Sequence, residues 1–336
     1  MTAPRRAAAG GYVLLTTLAA LAVIAFVAAR FASRIDILRE QSLTMKEYAS
    51  GRQEAESARA LALYWIGTRP LAEKSIGWAG EPAVAADGRL YRMVSGAWVG
   101  VQDQRGLMPM STPDRQALGA LLRQHGVAAT RTDAFVDVLE DYLDTDSLRR
   151  LNGAEARDYA ALGLAGPRND WLITVAELRH MPVWRDDPIL LDRLLPLLSA
   201  RRSAAFNPNT APRTVLQALL PDALPEKLDR FEALRQANDF GDAAYAAAVS
   251  ALPLDRDDFL FRVSNELRLS VWAPGLPRAL EYNLLLTPGG ARGPWLISEA
   301  HSVPRPSVTD GTKPLLTFPL AVDAADRAAP TGALEP

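Results

Sequence analysis

The chain has 336 residues, of which 49% are hydrophobic and 23% are charged, and these fractions are ordinary for a folded protein. Its 37 basic and 39 acidic residues give a net charge of −2, so no overall basic excess points to nucleic acid. There is no cysteine, which excludes disulfide bonds, thiol catalysis and cysteine-ligated metals.

The first hydrophobic segment, residues 11–29, contains no charged residue and is long enough to cross the hydrocarbon core of a bilayer. Arg5 and Arg6 precede it, which favours an N-terminus left in the cytoplasm. A signal anchor, a cleaved secretory signal peptide and a prepilin leader are the three interpretations. The long apolar core disfavours the secretory peptide, which has a short one.

The order of residues at the N-terminus resembles a type IV prepilin leader. A short basic stretch ends in Gly10-Gly11, and Tyr12 begins the apolar run. The resemblance implies cleavage after Gly11, which makes Tyr12 the first mature residue. Most prepilins carry glutamate at the fifth mature position, where this chain has Thr16. The K-type minor pseudopilins of type II secretion typically lack that glutamate.

Residues 35–66 have apolar positions at three- and four-residue spacing and no proline, which predicts that the first helix continues through them. Gly51 inside this run indicates a bend. Residues 90–94 and 97–101 alternate around a Ser95-Gly96 turn and predict two strands.

A long helical block follows, and strand patterns return after it. Helices are predicted from Pro113-Asp114 onwards and at 133–142, 172–181, 187–198, 210–220, 225–237 and 241–252. Strands are predicted at 259–263, 267–272, 279–286 and 295–297. This order predicts an α+β fold in which a helical domain is inserted between strands of one sheet.

Five segments, in order, resemble motifs of the general secretion pathway protein K family, and the resemblance covers roughly residues 8–290. The segments are 101–110, 138–146, 152–155 with Tyr159, 172–179, and 206–212 with Val215 and Leu216. Three departures stand out: residues 108–111 lack the usual asparagines, Tyr142 replaces a tryptophan, and Pro208 lies inside an Asn-x-Asn motif.

The resemblance implies a pilin-like fold: a long N-terminal transmembrane helix packed on a small antiparallel sheet, with a large all-α domain inserted between strands. The predicted division is 1–11 leader, 12–34 transmembrane helix, 35–66 periplasmic continuation of that helix, 67–111 first part of the sheet, 112–255 helical domain, 256–322 second part of the sheet and 323–336 disordered tail.

The resemblance also implies a function without catalysis. A K-type minor pseudopilin is a single-pass bacterial inner-membrane protein with a cytoplasmic N-terminus and a periplasmic bulk. It lies at the tip of the type II secretion pseudopilus and starts filament assembly. The expected partners are the I-, J- and H-type minor pseudopilins, the inner-membrane assembly platform and the prepilin peptidase, which also N-methylates the new terminus. No nucleic acid is expected.

Thr16 fits the position at the tip. The usual prepilin glutamate pairs with the N-terminal amine of a neighbouring subunit, and a subunit without it cannot make this contact to a subunit above. The other interpretation of Thr16 needs no function, because a threonine hydroxyl inside a helix bonds a carbonyl of its own helix.

Asp141, Asp144, Asp146 and Glu155 form the richest group of carboxylates in the chain. Asp144 and Asp146 alternate in a turn, as the oxygen ligands of calcium loops do, although the spacing is not that of an EF-hand. The spacing alone favours a solvated acidic loop in which Asp146 caps a helix. The family resemblance implies calcium, because K-type pseudopilins bind it.

Residues 207–211 precede a helix and resemble the turn of DNA-binding helix-hairpin-helix modules, with Asn209 or Thr210 as the helix cap. A membrane-anchored DNA-binding protein is therefore the alternative function, and a capped structural turn is the simpler interpretation. An anchored hydrolase is weakly supported, because the sequence contains neither G-x-S-x-G nor H-E-x-x-H.

Overall fold

The computed structural model describes residues 10–237, 240–254, 256–305 and 316–319. Residues 1–9 of the leader predicted at 1–11, and the whole tail predicted at 323–336, lie outside these residues. The helices are α1 Gly10–Thr68, α2 Arg115–Gln124, α3 Ala129–Leu143, α4 Ala156–Ala161, α5 Pro188–Leu194, α6 Arg213–Leu219, α7 Pro225–Ala237 and α8 Ala243–Ser250.

The strands are short at the edges of the fold and longer in its main sheet. They are β1 Ser75–Ile76, β2 Val84–Ala85, β3 Asp87–Arg92, β4 Trp98–Asp103, β5 Met108–Pro109, β6 Leu198–Ser199, β7 Glu266–Trp272, β8 Ala279–Leu286, β9 Trp295–Val303 and β10 Leu316–Thr317. The 3-10 helices Gln104–Gly106, Val175–His180 and Leu195–Leu197 connect some of these elements.

α1 is a single helix of 59 residues, about 90 Å long at 1.5 Å per residue. In the described part of the chain it is the one helix long and apolar enough to cross a membrane. The predicted continuation of the membrane helix is therefore confirmed. Packing starts later than the apolar pattern suggests, because every residue from 12 to 50 is exposed and burial begins at Gly51.

Gly51 has a packing role in a helix that continues through it. A Cβ atom at this position would lie 2.2 Å from the carbonyl oxygen of Pro274, in the turn between β7 and β8. Gly275 in the same turn has a φ of +86°, and its Cβ would lie 2.4 Å from the carbonyl oxygen of Glu47. Two glycines thus allow the turn to contact the helix backbone directly.

Among the described residues the main sheet has six strands, in the order β10-β3-β4-β7-β8-β9. All neighbours pair antiparallel except β10, which pairs parallel with β3, so the sheet is mixed where an antiparallel one was expected. The parallel edge strand is fixed by Phe318, which is buried edge-on against the rings of Trp65 and Tyr91. One face of the sheet packs on residues 55–66 of α1.

α2 to α8 form a helical domain with its own hydrophobic core, inserted between β5 and β7 as predicted. Its largest fully buried side chains are Phe135, Tyr159, Trp184, Phe206, Phe231 and Phe240. The indole nitrogen of Trp184 donates to the carbonyl oxygen of Phe135 at 2.9 Å, so this buried N–H has its hydrogen bond.

Several predicted elements differ from the observed ones. Residues 259–263 are not a strand: Phe259 makes only an isolated bridge to Phe206, because its ring belongs to the core of the helical domain. The helix predicted at 172–181 is the 3-10 helix Val175–His180. The helix predicted at 187–198 ends at Leu194, before Pro196. β9 is longer than predicted and reaches Val303.

Candidate functional site

The end of α3 and the start of α4 bring three of the four predicted carboxylates together. Asp144 follows the last residue of α3, and Glu155 is the N-cap of α4. One oxygen each of Asp144, Asp146 and Glu155 lies within 4.8 Å of the others. We call these three residues the carboxylate cluster. Hard divalent cations prefer such oxygen ligands, so the donor set fits calcium.

Two oxygens in the carboxylate cluster are buried and have no hydrogen-bond partner among the described residues: Oδ1 of Asp144 and Oε1 of Glu155. Glu155 is only 7% exposed. Its burial and the neighbouring charges of Asp141, Asp144 and Asp146 raise the pKa of its carboxyl group. A bound cation would remove this electrostatic cost, which is the reason to regard the cluster as a candidate metal centre.

Asp141, the fourth predicted ligand, is close to the cluster but is not one of the three residues whose oxygens converge. It is completely buried, and its Oδ1 accepts a hydrogen bond from Nη1 of Arg150 at 2.6 Å. Its Oδ2 accepts the backbone N–H of Arg150 at 3.2 Å. A Cβ atom on Gly153 would lie 1.9 Å from Oδ2 of Asp141, so only glycine leaves room for this carboxylate.

Arg150 was not singled out from the sequence, yet it is central to the site. Its guanidinium contacts Asp141, Asp144 and Glu140, with N–O distances of 2.6, 2.5 and 2.8 Å. The adjacent Arg149 pairs instead with Asp158 at 3.3 Å. Nothing in the sequence separates these two arginines, because both follow the acidic loop and only the fold decides which one turns inward.

The simpler interpretation of Asp146, as a helix cap, is wrong. Its Oδ1 accepts the backbone N–H of Leu148 at 2.7 Å within the loop, and neither residue belongs to a helix. α4 begins after Glu155, whose backbone N–H donates to Oδ2 of Asp158 at 3.0 Å. The loop from 144 to 155 is therefore held by side chains that bond its own backbone.

The turn at 207–211 lies inside the protein, at the junction between the sheet and the helical domain. Nδ2 of Asn207 and Oγ1 of Thr210 both donate to Oδ2 of Asp103, at 2.9 and 3.1 Å. Nδ2 of Asn209 donates to the carbonyl oxygen of Phe240 at 2.7 Å. Neither Asn209 nor Thr210 caps a helix, because α6 begins at Arg213 after Pro212.

The burial of this turn removes the structural basis of the DNA-binding alternative. Residues 207–211 are all buried, so their backbone amides face protein and cannot receive a phosphate. Of the three arginines near the turn, Arg201 is buried, Arg202 is exposed, and Arg213 pairs with Asp229 and Glu232 at 2.6 and 2.8 Å. Burial lowers the pKa of Arg201 to about 10.

Asp103 organises this junction and was missed as a site by the sequence reasoning. Its Oδ1 accepts hydrogen bonds from the backbone N–H of Arg105 and from both the N–H and the hydroxyl of Ser264, at 3.1, 3.2 and 2.6 Å. Together with Asn207 and Thr210, five donors converge on one fully buried carboxylate. It thereby joins β4, the helical domain and the chain leading into β7.

At the N-terminal end of the apolar segment, Gly11 and Tyr12 lie in the first turn of α1, and Tyr12 is exposed. The hydroxyl of Thr16 contacts the carbonyl oxygens of Val13 and Tyr12 at 2.9 and 3.1 Å. Thr16 therefore satisfies its hydroxyl within its own helix, as the second interpretation of this residue predicted.

The architecture has three parts: a helix long enough to cross a membrane, a small sheet that packs on its C-terminal part, and a helical domain inserted between the strands. Residues 100–203 match the family model described as type II secretion system, protein K. The chain also resembles a chain in the crystal structure of the GspK–GspI–GspJ complex from the type 2 secretion system of enterotoxigenic Escherichia coli. That match has a TM-score of 0.52 and 20% identity and covers 78% of this chain and 99% of the other.

None of the curated proteins matches the chain in sequence. The family match covers the first four of the five motif segments, and the fifth, at 206–216, lies beyond it. Over residues 100–203 the chain is therefore similar to protein K of type II secretion, in agreement with the resemblance to the K-type minor pseudopilins drawn from its motifs.

Proposed function

We propose that this protein is a minor pseudopilin at the tip of the type II secretion pseudopilus, where it initiates filament assembly for protein export across the outer membrane. The observation that carries the proposal is the exposure of α1 over residues 12–50. The role is structural, because the protein presents a helix for other subunits to pack against.

The exposed helix has apolar side chains well beyond the membrane segment. Ile35, Leu38, Met45 and Tyr48 lie on the part of α1 that follows Arg34, and between 46% and 74% of each residue's surface is exposed. Large apolar side chains left in water along one helix favour packing against other helices. Equivalent helices of neighbouring pseudopilins are the proposed partners of this surface.

The proposed binding partners are the I- and J-type minor pseudopilins, whose names appear together with GspK in the similar solved complex. We extend the proposal to the H-type pseudopilin, the assembly platform and the prepilin peptidase on the family resemblance alone. The protein would cross the inner membrane once, with its N-terminus in the cytoplasm and the sheet and helical domain in the periplasm. Arg5 and Arg6 before the apolar run support this orientation.

Processing at Gly11 provides the test of this proposal. Mass spectrometry of the protein extracted from its native membrane is expected to show an N-methylated Tyr12 as the first residue. A Gly11→Leu variant should keep its leader, because the peptidase cuts after glycine, while Gly10→Ala serves as the matched control. An intact Met1 in the wild type, or cleavage beyond Ala29, would contradict the proposal.

The carboxylate cluster supports a second proposal, a structural calcium site in the helical domain. Asp144, Asp146 and Glu155 would hold the ion, which would supply positive charge to three converging carboxylates. The two unpartnered buried oxygens support this assignment. Such an ion would fix the loop between α3 and α4 and so stabilise the domain.

Calcium is expected to raise the melting temperature of the full chain in detergent by about 5–10 °C when its concentration is a hundredfold above the dissociation constant. The double variant Asp144→Ala, Asp146→Ala should lose this rise, because it removes two of the three ligands. Asp170→Ala with Asp186→Ala, two exposed aspartates, is the matched control. Identical melting of the wild type with calcium and with a chelator would reject the site.

A further inference from the structure

Arg150 occupies the position between two sets of carboxylates. On one side its Nε contacts Glu140 at 2.8 Å and its Nη1 contacts the buried Asp141 at 2.6 Å. On the other side the same Nη1 contacts Oδ2 of Asp144 at 2.5 Å. One guanidinium therefore balances charge on three acidic residues, with about a third of its side chain exposed.

Asp144 is shared between this guanidinium and the carboxylate cluster. Its Oδ2 is bonded to Arg150, whereas its Oδ1 is buried, has no partner among the described residues, and belongs to a residue that converges with Asp146 and Glu155. Glu155 is more than nine-tenths buried, and its Oε1 is likewise unpartnered in the described chain. A cation bound there and the guanidinium of Arg150 would draw on the charge of the same carboxylate.

Arg150 also organises the loop without a metal ion. Its backbone N–H donates to Asp141, and its carbonyl oxygen accepts the N–H of Gly153 at 3.2 Å. Its side chain reaches across to Glu140 near the end of α3. The loop from 144 to 155 is therefore tied to α3 by side-chain and backbone bonds that do not require an ion.

We propose that Arg150 is a built-in counter-cation, a positioning residue that weakens divalent-cation binding at the carboxylate cluster and makes the fold of this loop partly independent of the ion. The inference rests on the proposed calcium site. The physical reason is that like charges repel: the guanidinium lowers the negative potential that attracts the ion, and it already supplies some of the stabilisation that the ion would provide.

Isothermal calorimetry of calcium binding to the full chain in detergent tests the inference. Arg150→Gln is expected to bind calcium about tenfold more tightly than the wild type. Its melting temperature should fall in chelator and rise more on adding calcium than that of the wild type. Arg149→Gln, which changes the neighbouring arginine paired with Asp158, should leave the calcium affinity unchanged.

Arg150→Lys provides a second variant in case the glutamine variant does not fold. A lysine keeps one positive charge but cannot form the fork that contacts three carboxylates, so its calcium affinity should lie between those of the wild type and Arg150→Gln. Equal affinities in the wild type and both variants would overturn the role of Arg150 while leaving the calcium site intact.

Two further outcomes separate the inference from the site on which it rests. Binding by Arg150→Gln alone, with none in the wild type, would support the counter-cation role and show that the native chain uses Arg150 in place of an ion. No binding by any of these proteins would overturn both proposals.

Discussion

Replacing Asp103 with alanine is expected to lower the free energy of unfolding by about 3–4 kcal/mol, because it leaves several buried donors without an acceptor. Asn207, Thr210 and Ser264 all donate to this carboxylate, and each is itself buried. The loss can be measured by urea unfolding of the full chain in detergent, followed by tryptophan fluorescence.

Two comparisons make the Asp103 result specific. Asp103→Asn preserves the shape of the side chain and an acceptor oxygen, so its loss should be smaller than that of the alanine variant. Asp186→Ala, at an exposed position, should change stability by less than about 0.5 kcal/mol. A loss below about 1 kcal/mol for Asp103→Ala would show that the junction does not depend on this carboxylate.

Gly51→Ala is expected to destabilise the protein by about 1–3 kcal/mol, although alanine favours a helix over glycine by about 1 kcal/mol. The new Cβ would meet the carbonyl oxygen of Pro274 at 2.2 Å, so the β7–β8 turn would have to move away from α1. The Cβ is fixed to the helix backbone and the oxygen belongs to the backbone of the turn, so neither can rotate away as the end of a flexible side chain would.

Ser50→Ala is the matched control for Gly51→Ala, because Ser50 is the adjacent exposed residue of the same helix. It should leave stability unchanged or raise it slightly, since it improves helix propensity without a new contact. The measurement is again unfolding of the full chain by urea. A Gly51→Ala protein as stable as the wild type would show that the β7–β8 turn can move away from α1 at no cost in stability.

Local patterns in the sequence predicted the elements whose signal lies within a few neighbouring residues. The apolar run at 11–29 and its continuation gave one helix, as expected from periodicity alone. The alternating segments around Ser95-Gly96 are β3 and β4, and Pro225–Ala237 has the predicted bounds. Phe259 was misassigned because a short apolar segment reads equally well as a strand or as part of a helical core.

At the candidate site, too, the sequence predicted what depends on neighbouring residues but not what depends on packing. Three of the four carboxylates converge because Asp144 and Asp146 are two residues apart in one loop and the loop returns to Glu155. Asp141 lies only three residues before Asp144, but its position at the end of α3 turns it into the protein, under Arg150. Sequence spacing cannot distinguish these directions, since the orientation of α3 depends on contacts with the rest of the helical domain.

By itself, the sequence determined the long apolar N-terminal helix, the helical block between two strand regions and the family resemblance, because each rests on composition, periodicity or motifs within short segments. Only the tertiary structure decided that Asp103 joins the sheet to the helical domain, that Gly51 leaves room for the β7–β8 turn, and that Arg150 contacts Asp144, a member of the carboxylate cluster. These three depend on residues far apart in the chain or on the side to which a backbone segment turns, and only packing of the whole fold sets that direction.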